Sequence, residues 1–192
     1  MVFEVYLIAM DKYNISIKIT KDMLEEAKKA APSIRVNRTK ASPYDAEVGV
    51  IGEFIFAEWF LQNWKLHDPY SIKGKVDFFD EIEIKTSAFP FSKNLNLLVR
   101  EDYANTTKRR PKFYIQVIID LPYAGGKIKT GLNCILAGFA THEEVEIAEK
   151  KDFGSKYGGK GGYRCKYIPI HALHPMNGFK KTYQDYAAEQ TF

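Results

Sequence analysis

The sequence predicts a single α/β or α+β domain built around a mixed β-sheet. A long apolar segment at residues 44–64 is typical of a buried helix, and short β-rich segments follow it up to residue 139. Further helical segments stand before and after these strands, an order typical of helices packed on a sheet. A chain of 192 residues is long enough for one sizeable core but short for two full domains.

The chain before the long apolar segment is predicted to contain a strand, a helix and a loop. Residues 14–19 alternate apolar and polar side chains, as half-buried strands do. Thr20 can cap a helix over residues 21–31, and Pro32 is expected to end that helix. Residues 33–43 are then expected to form a loop.

Residues 44–64 are the strongest helix candidate in the chain. Asp45 can serve as the N-cap of this helix. From Val48 to Leu61 the side chains are apolar on nearly all sides, which predicts a helix buried in the core rather than one at the surface.

Two hairpins are predicted after this helix. The first joins residues 75–78 to residues 82–87, and the second joins residues 113–121 to residues 131–139 across a glycine-containing turn.

The remaining elements are two strands and two helices. One strand is predicted at residues 95–100, and another at residues 163–169 is expected to lie at an edge of the sheet. A capping box at Thr141–Glu144 begins a helix that extends to about residue 151. Residues 178–189 are predicted to form a closing helix.

Composition excludes several classes of protein. The chain is 45% hydrophobic and 14% aromatic, which is typical of a folded domain. No apolar run approaches a membrane span. The first ten residues lack the basic start of a signal peptide, so the start of an ordered strand or strap is expected there. Cys134 and Cys165 form no CxxC pair and the histidines are scattered, so neither a zinc site nor a disulfide framework is expected. A reducing, cytoplasmic location is the resulting expectation.

The charge distribution is compatible with a nucleic-acid partner. The net charge is +4 and the pI about 8.8, a mild basicity shared by many proteins without such a partner. Basic residues cluster in two places, at Lys108, Arg109, Arg110 and Lys112, and at Lys150, Lys151, Lys156, Lys160, Arg164 and Lys166. The first cluster is a candidate phosphate contact, although a run of charge more often marks a solvated loop. The glycine-rich segment at residues 157–163 lacks the GK[ST] ending of a phosphate-binding loop, so a flexible loop is expected there, with a DNA-backbone contact as the alternative.

The chemistry of the chain is expected at the first hairpin, GKVDFFDEIEIKTS, which covers residues 74–87. Side chains alternate between the two faces of a strand, so Glu83 and Lys85 share one face. A three-residue loop at residues 79–81 would pair Asp77 with Glu83 on that face, whereas a two-residue loop would turn Asp77 away. The three-residue loop is favoured because it separates apolar from charged side chains, and register follows the buried face.

Asp77, Glu83 and Lys85 have the composition of a metal-dependent hydrolytic site. Two carboxylates that face each other on paired strands repel unless a cation lies between them, and Mg²⁺ favours such oxygen ligands. A lysine beside the ion can orient a water and offset charge on a phosphate. Taken alone, the Glu-x-Lys pattern is weak, since it also occurs as an ordinary charge pattern on half-solvated strands.

Glu53 strengthens this interpretation because it interrupts the apolar helix. At 100° per residue, Glu47 and Glu58 fall on one side of the helix, whereas Glu53 lies well away from them among apolar neighbours. A carboxylate in such surroundings needs a cation or a proton. A metal shared with Asp77 and Glu83 would supply the cation, and the alternatives are a core lysine or arginine, or access to solvent.

Together these residues form a recognisable pattern. It comprises G-x-x-G-E at residues 49–53, an aspartate at a strand start (Asp77) and E-x-K-T-S at residues 83–87. This pattern resembles the PD-(D/E)XK nuclease superfamily, which includes many restriction endonucleases, archaeal Holliday-junction resolvases and phage-type exonucleases. The resemblance is strong over residues 44–87, and the chain up to about residue 139 is consistent with it. It implies one restriction-endonuclease-like domain, with a central mixed sheet flanked by helices.

The resemblance also implies roles for individual residues. Asp77, Glu83 and the Ile84 carbonyl would be ligands of Mg²⁺ or Mn²⁺, and Glu53 would contact the ion directly or through water. Lys85 would act on the nucleophilic water.

The implied activity is hydrolysis of DNA that leaves a 5′-phosphate, on duplex, branched or end-containing substrates. Symmetric duplex substrates favour a two-fold homodimer by analogy. Val76 stands where the family pattern has proline, and the spacing from Asp77 to Glu83 is short, so Asp80 is the alternative acid.

Two other hypotheses stand beside the nuclease: a non-catalytic nucleic-acid-binding protein on the same fold, and a structural or assembly protein with an unrelated α+β fold. The opposed acids favour the nuclease, because a protein that only binds nucleic acid has no need of them. The sequence leaves open whether Gln116 shares the face of Lys85. His174 has no partner in the sequence and is expected to be structural.

Overall fold

The fold is described from a computed structural model, over residues 12–38, 42–70, 76–100, 110–154 and 163–190. Six sequence predictions lie wholly or partly outside these ranges. They concern the strand in the first ten residues, the loop at residues 33–43, the strand at residues 75–78, Lys108 and Arg109, Lys156 and Lys160, and the glycine-rich loop as far as residue 162.

The first helix is longer than the sequence predicts. Strand β1 covers Ser16–Lys18, and the Thr20 hydroxyl then accepts a hydrogen bond from the Met23 N–H at 3.2 Å, which confirms the predicted cap. Helix α1 covers Lys21–Arg38 and passes through Pro32, so the predicted end at this proline is wrong, as is the predicted loop over residues 33–38. One face of α1 is packed in the main core, and this burial outweighs the hydrogen bond that proline removes.

The long apolar helix, α2, covers Pro43–Leu61, close to the predicted bounds. Its N-cap is Ser42 rather than Asp45. The Ser42 hydroxyl accepts a hydrogen bond from the Asp45 N–H, and the Asp45 carboxylate accepts one from the Ser42 N–H, which forms a capping box. Asp45 therefore stabilises the helix start from inside the first turn. Most of α2 between Ala46 and Ala57 is buried, as predicted.

Four of the described strands form one mixed sheet. The strands after β1 are β2, Ile82–Phe89; β3, Asn96–Arg100; β4, Phe113–Asp120; β5, Asn133–Thr141; β6, Lys150–Asp152; and β7, Arg164–Pro169. The order in the larger sheet is β1-β5-β4-β2. β2 and β4 are parallel, whereas β4 with β5 and β5 with β1 are antiparallel. The predicted mixed sheet and the predicted antiparallel pairing of β4 and β5 are both confirmed.

The other three strands form a second, antiparallel sheet in the order β3-β7-β6. β7 is central in this sheet, so its predicted place at an edge is wrong. The reason is helix α3, which covers His142–Ile147 and ends earlier than predicted, so that the chain continues as β6 and pairs with β7. The start of α3 is as predicted, since Thr141 and Glu144 form its capping box.

The four-stranded sheet separates two hydrophobic cores. On one face, α1 and α2 pack over side chains such as Ile84 and Ile115, together with Phe179 at the start of the closing helix α4, Phe179–Glu189. On the other face, Leu97 of β3 belongs to a smaller core that contains Tyr114 of β4. The protein is thus an α/β structure in which Ile84 of β2 faces the larger core, whereas Glu83 and Lys85 point to the side of the smaller core. Within the described ranges, no helix combines the length and apolar character needed to cross a bilayer.

Candidate active site

The register predicted for the first hairpin is confirmed. Phe78 and Ile82 form an antiparallel bridge with two backbone hydrogen bonds of 3.0 Å, and residues 79–81 make the three-residue loop between them. The first two loop residues have left-handed φ values of 54° and 59°, which let the chain reverse in a short loop. Residues 76–78 of the predicted strand 75–78 do not form a regular strand, and their pairing is limited to the isolated bridge at Phe78.

Asp77 lies beside Glu83, as this register requires. Its Oδ2 accepts a hydrogen bond from the backbone N–H of Ile84 at 2.7 Å. Burial raises the pKa of Asp77 well above its usual range, and the nearby carboxylates of Glu83 and Glu53 raise it further. The three acids named by the sequence therefore lie close enough to act on one another. Asp80, the alternative acid, lies in the loop itself.

Glu83 and Lys85 form an ion pair on one face of β2. Lys85 Nζ donates to Glu83 Oε1 at 2.6 Å, and the lysine side chain is 25% exposed. In the parallel register, Tyr114 of β4 lies beside Glu83 and Gln116 lies beside Lys85, with their side chains on the same face. Gln116 is buried and its Nε2 donates to Ser87 Oγ at 3.4 Å. The structure thus places Gln116 on the face that carries Lys85.

Glu53 comes to the site from α2 and pairs there with a histidine. Its Oε2 lies 2.7 Å from Nε2 of His67, and the histidine side chain is only 6% exposed. A short 3-10 helix, Trp64–Leu66, precedes His67, whose ring stacks on Phe78 with 4.4 Å between ring centroids. Burial lowers the pKa of His67, although the charge of Asp77 acts the other way.

His67 is the site residue that sequence reasoning misses. The sequence predicts a metal ion, a basic residue or solvent as the partner of Glu53, and gives no sign of a histidine. His67 stands after the end of α2 with no motif around it, and a scattered histidine has no pattern that identifies its partner. Only the return of the chain across Phe78 brings it to the carboxylate.

A glycine lets the helix that carries Glu53 approach β2 closely. A Cβ atom added to Gly52 would lie 1.8 Å from Oγ1 and 2.8 Å from Cβ of Thr86. Gly52 precedes Glu53, and Thr86 follows Lys85, so this contact joins the two parts of the site. The other glycine of the G-x-x-G-E motif, Gly49, has no neighbour within 4 Å of such an atom.

The backbone of Ile84 faces the edge of β2 on which Asp77 lies. The carbonyls of Glu81 and Phe89 accept hydrogen bonds from the segment that contains β4, so the N–H and C=O groups of odd-numbered residues point towards β4. The N–H and C=O groups of even-numbered residues point to the opposite edge, where the Ile84 N–H donates to Asp77. The Ile84 carbonyl, named as a ligand by the resemblance, therefore shares an edge with that carboxylate.

The donor chemistry of these residues fits a hard divalent cation. Three carboxylates and a carbonyl are the oxygen ligands that Mg²⁺ prefers, and the repulsion that raises the pKa of Asp77 is what a cation would relieve. In the part of the chain that the structure describes, no three His, Cys, Asp or Glu side chains are arranged to hold a metal. The carboxylates instead contact the Ile84 N–H, Lys85 and His67.

Some basic and polar candidates from the sequence also lie within the described ranges. Burial raises the pKa of Tyr114 to about 12, and the positive charges of Lys85 and Arg110 oppose this shift. Lys166 is 5% exposed and donates to the Glu146 carbonyl at 2.7 Å, so it has a structural role rather than a phosphate contact. His174 lies 2.6 Å from a carboxylate of α3, in agreement with its expected structural role.

No family model matches this chain, and comparison with curated proteins and with solved structures finds no match either. The site is therefore interpreted from its own geometry.

Proposed function

We propose that this protein is a metal-dependent nuclease that hydrolyses DNA phosphodiester bonds. The observation that carries the proposal is the convergence of acids from two elements, with Asp77 and Glu83 across a hairpin and Glu53 from a buried helix. Like charges brought together in a partly buried place cost stability, so acids with only a structural role are better kept apart. Lys85 adds the cation that phosphate chemistry needs beside them.

The same residues are the proposed metal ligands. Asp77, Glu83 and the Ile84 carbonyl would hold Mg²⁺ or Mn²⁺, with Glu53 as a further ligand, direct or through water. When bound, such an ion supplies Lewis-acid polarisation of the phosphate and a lower pKa for a nearby water. Restriction-endonuclease-like architecture is part of this proposal and is supported by the confirmed hairpin register.

In the proposed reaction, a water oxygen bonds to phosphorus and the bond from phosphorus to the 3′ oxygen breaks. The products are a 5′-phosphate and a 3′-hydroxyl. Lys85 would orient the water or offset charge on the non-bridging oxygens of the phosphate. The Glu83 carboxylate holds this ammonium in position before DNA arrives. Gln116 is buried on the same face and would restrict the positions of the Lys85 and Glu83 side chains.

The test is cleavage of linear, circular and four-way-junction DNA with Mg²⁺ or Mn²⁺. We expect Lys85→Ala and Glu83→Ala each to lower the rate by roughly 100-fold or more, as the loss of one charge-stabilising group does. Glu53→Gln is expected to lower it as well. Glu47→Gln is the matched control, because Glu47 lies on the same helix but interacts with Lys28 of α1; its activity should be unchanged.

Each outcome separates the hypotheses. Cleavage that survives both Lys85→Ala and Glu83→Ala would overturn the proposed site. DNA binding without cleavage at any metal concentration would favour a non-catalytic binding protein. Neither binding nor cleavage would favour a structural or assembly role.

A further inference from the structure

A groove extends from Lys85 along the second half of β2. Its volume is about 540 Å³, which is in the range of pockets that hold small molecules or parts of larger ones. Residues 85–89 and Gln116 line its base. The start of α2 lies on one side, and Leu98 of β3 with the chain around β6 and β7 lies on the other.

Among the described residues that line this groove, four carry aromatic rings, and they come from separate parts of the chain. They belong to Tyr44 in α2, Phe89 at the end of β2, Phe153 after β6 and Tyr163 before β7. The first three residues are 37%, 44% and 36% exposed. The Tyr44 hydroxyl donates to the Gly126 carbonyl at 3.0 Å, which fixes its ring in place. Exposed rings that surround one cavity are typical of a surface on which planar groups stack.

Cations accompany the rings on the side of the second sheet. The Arg100 guanidinium lies 6.0 Å from the centroid of the Tyr163 ring, and Lys151 Nζ lies 5.8 Å from that of Phe153. Cations thus stand beside two of the rings, and Lys85, which is paired with Glu83, lines the groove at the candidate site. The acid among the lining residues is Asp45, whose carboxylate is bonded within the capping box of α2.

We propose that this groove binds the unpaired bases of a single-stranded DNA segment whose adjoining phosphate lies at Lys85. Bases in a duplex are stacked on one another, whereas unpaired bases are free to stack on aromatic side chains. The phosphates between them would lie near Arg100 and Lys151. The inference rests on the proposed function, because it assigns single-stranded ends and branches, rather than intact duplex, as the substrate of the same site.

The test measures binding without cleavage. Fluorescence anisotropy in EDTA compares a labelled oligo-dT strand with a blunt duplex of equal length. We expect Phe89→Ala and Phe153→Ala each to weaken oligo-dT binding about fivefold or more, as the loss of one base–aromatic stack does, with a smaller effect on the duplex. Phe89→Tyr keeps the ring and should restore binding. Tyr70→Ala is the control, because Tyr70 is 49% exposed and lies outside the groove.

The result also distinguishes this inference from the nuclease proposal. Loss of oligo-dT binding in both groove variants but not in Tyr70→Ala supports the groove even if no DNA is cleaved. Three results would overturn the groove assignment, even if the protein cleaves duplex DNA. They are equal oligo-dT binding by the three alanine variants, an equal loss of binding for duplex and single strand, and no binding of oligo-dT by wild type. Melting curves of each variant check that it folds.

Discussion

The contact between Gly52 and Thr86 gives a sharp test of how α2 lies against β2. In Gly52→Ala, the added Cβ atom would lie 1.8 Å from Thr86 Oγ1 and 2.9 Å from its Cγ2. Atoms in contact without a bond prefer about 3.5–4.0 Å. A rotation of the threonine side chain leaves its Cβ atom 2.8 Å from the added atom, so the helix and the strand must move apart.

The magnitude follows from two opposing effects. Replacing a helix-interior glycine by alanine stabilises by about 1 kcal/mol, whereas overpacking costs about 1–3 kcal/mol. Because three atoms of Thr86 lie within 3 Å of the new atom, we expect the upper part of that range. The net loss for Gly52→Ala is then about 1–2 kcal/mol, a fall in Tm of about 2–8 °C for a chain of this length.

Gly49→Ala is the matched control on the same helix. It gains the same helix propensity and its new atom meets nothing within 4 Å, so we expect Tm to rise by about 2–4 °C. Thermal unfolding followed by circular dichroism measures both variants. Thr86→Ala, which removes two of the three close atoms, should recover part of the loss in Gly52→Ala. Equal stabilisation by the two glycine substitutions would refute the packing of α2 on β2, and with it the placement of Glu53.

Three further predictions concern single side chains. Since the folded-state pKa of Asp77 is raised, the folded state loses stability as pH rises from the unfolded pKa towards the folded one. Asp77→Asn should therefore raise the metal-free Tm at pH 7. In wild type, Mg²⁺ at a hundred times Kd is expected to raise Tm by about 5–10 °C, and Asp77→Asn should largely remove this rise. An unchanged rise in the variant would contradict the role of Asp77 as a ligand. His67→Phe keeps the aromatic ring but loses the bond to Glu53, and calorimetry should show Mg²⁺ binding weakened by roughly 10–100-fold; wild-type affinity would exclude an orienting role. Burial raises the pKa of Cys134 to about 12, so alkylation at pH 8 should require denaturant, and labelling of the native protein would contradict its burial.

The register of the hairpin at residues 76–89 could be predicted because it depends on neighbouring residues alone. Side chains alternate along a strand, and a loop of three residues is the choice that puts Phe78 and Ile82 on one face and the acids on the other. The bridge between Phe78 and Ile82 bears this out. The burial of α2 could be predicted for the same reason, since an apolar surface on all sides is visible in the sequence itself.

Features that depend on distant parts of the chain could not be predicted. A proline normally ends a helix, but the helix through Pro32 continues because its apolar face is covered by the rest of the core. The central place of β7 depends on a strand that forms only where α3 ends early. His67 reaches Glu53 through a stack on Phe78, and nothing in the residues around either side chain encodes that approach.

The way the acids are held bears on whether they serve chemistry or only the fold. A charge pattern on an ordinary half-solvated strand would leave each carboxylate to water. Here Asp77 is bonded to a backbone N–H, Glu83 to Lys85 and Glu53 to His67, so the protein stabilises each acid separately while keeping all three together. On the proposed function, a divalent ion that takes these carboxylates would also release the Lys85 ammonium towards a phosphate. On this proposal the site has two states, one in which each acid contacts its protein partner and one in which the acids hold the ion. The convergence of the three acids is what allows the same residues to adopt both.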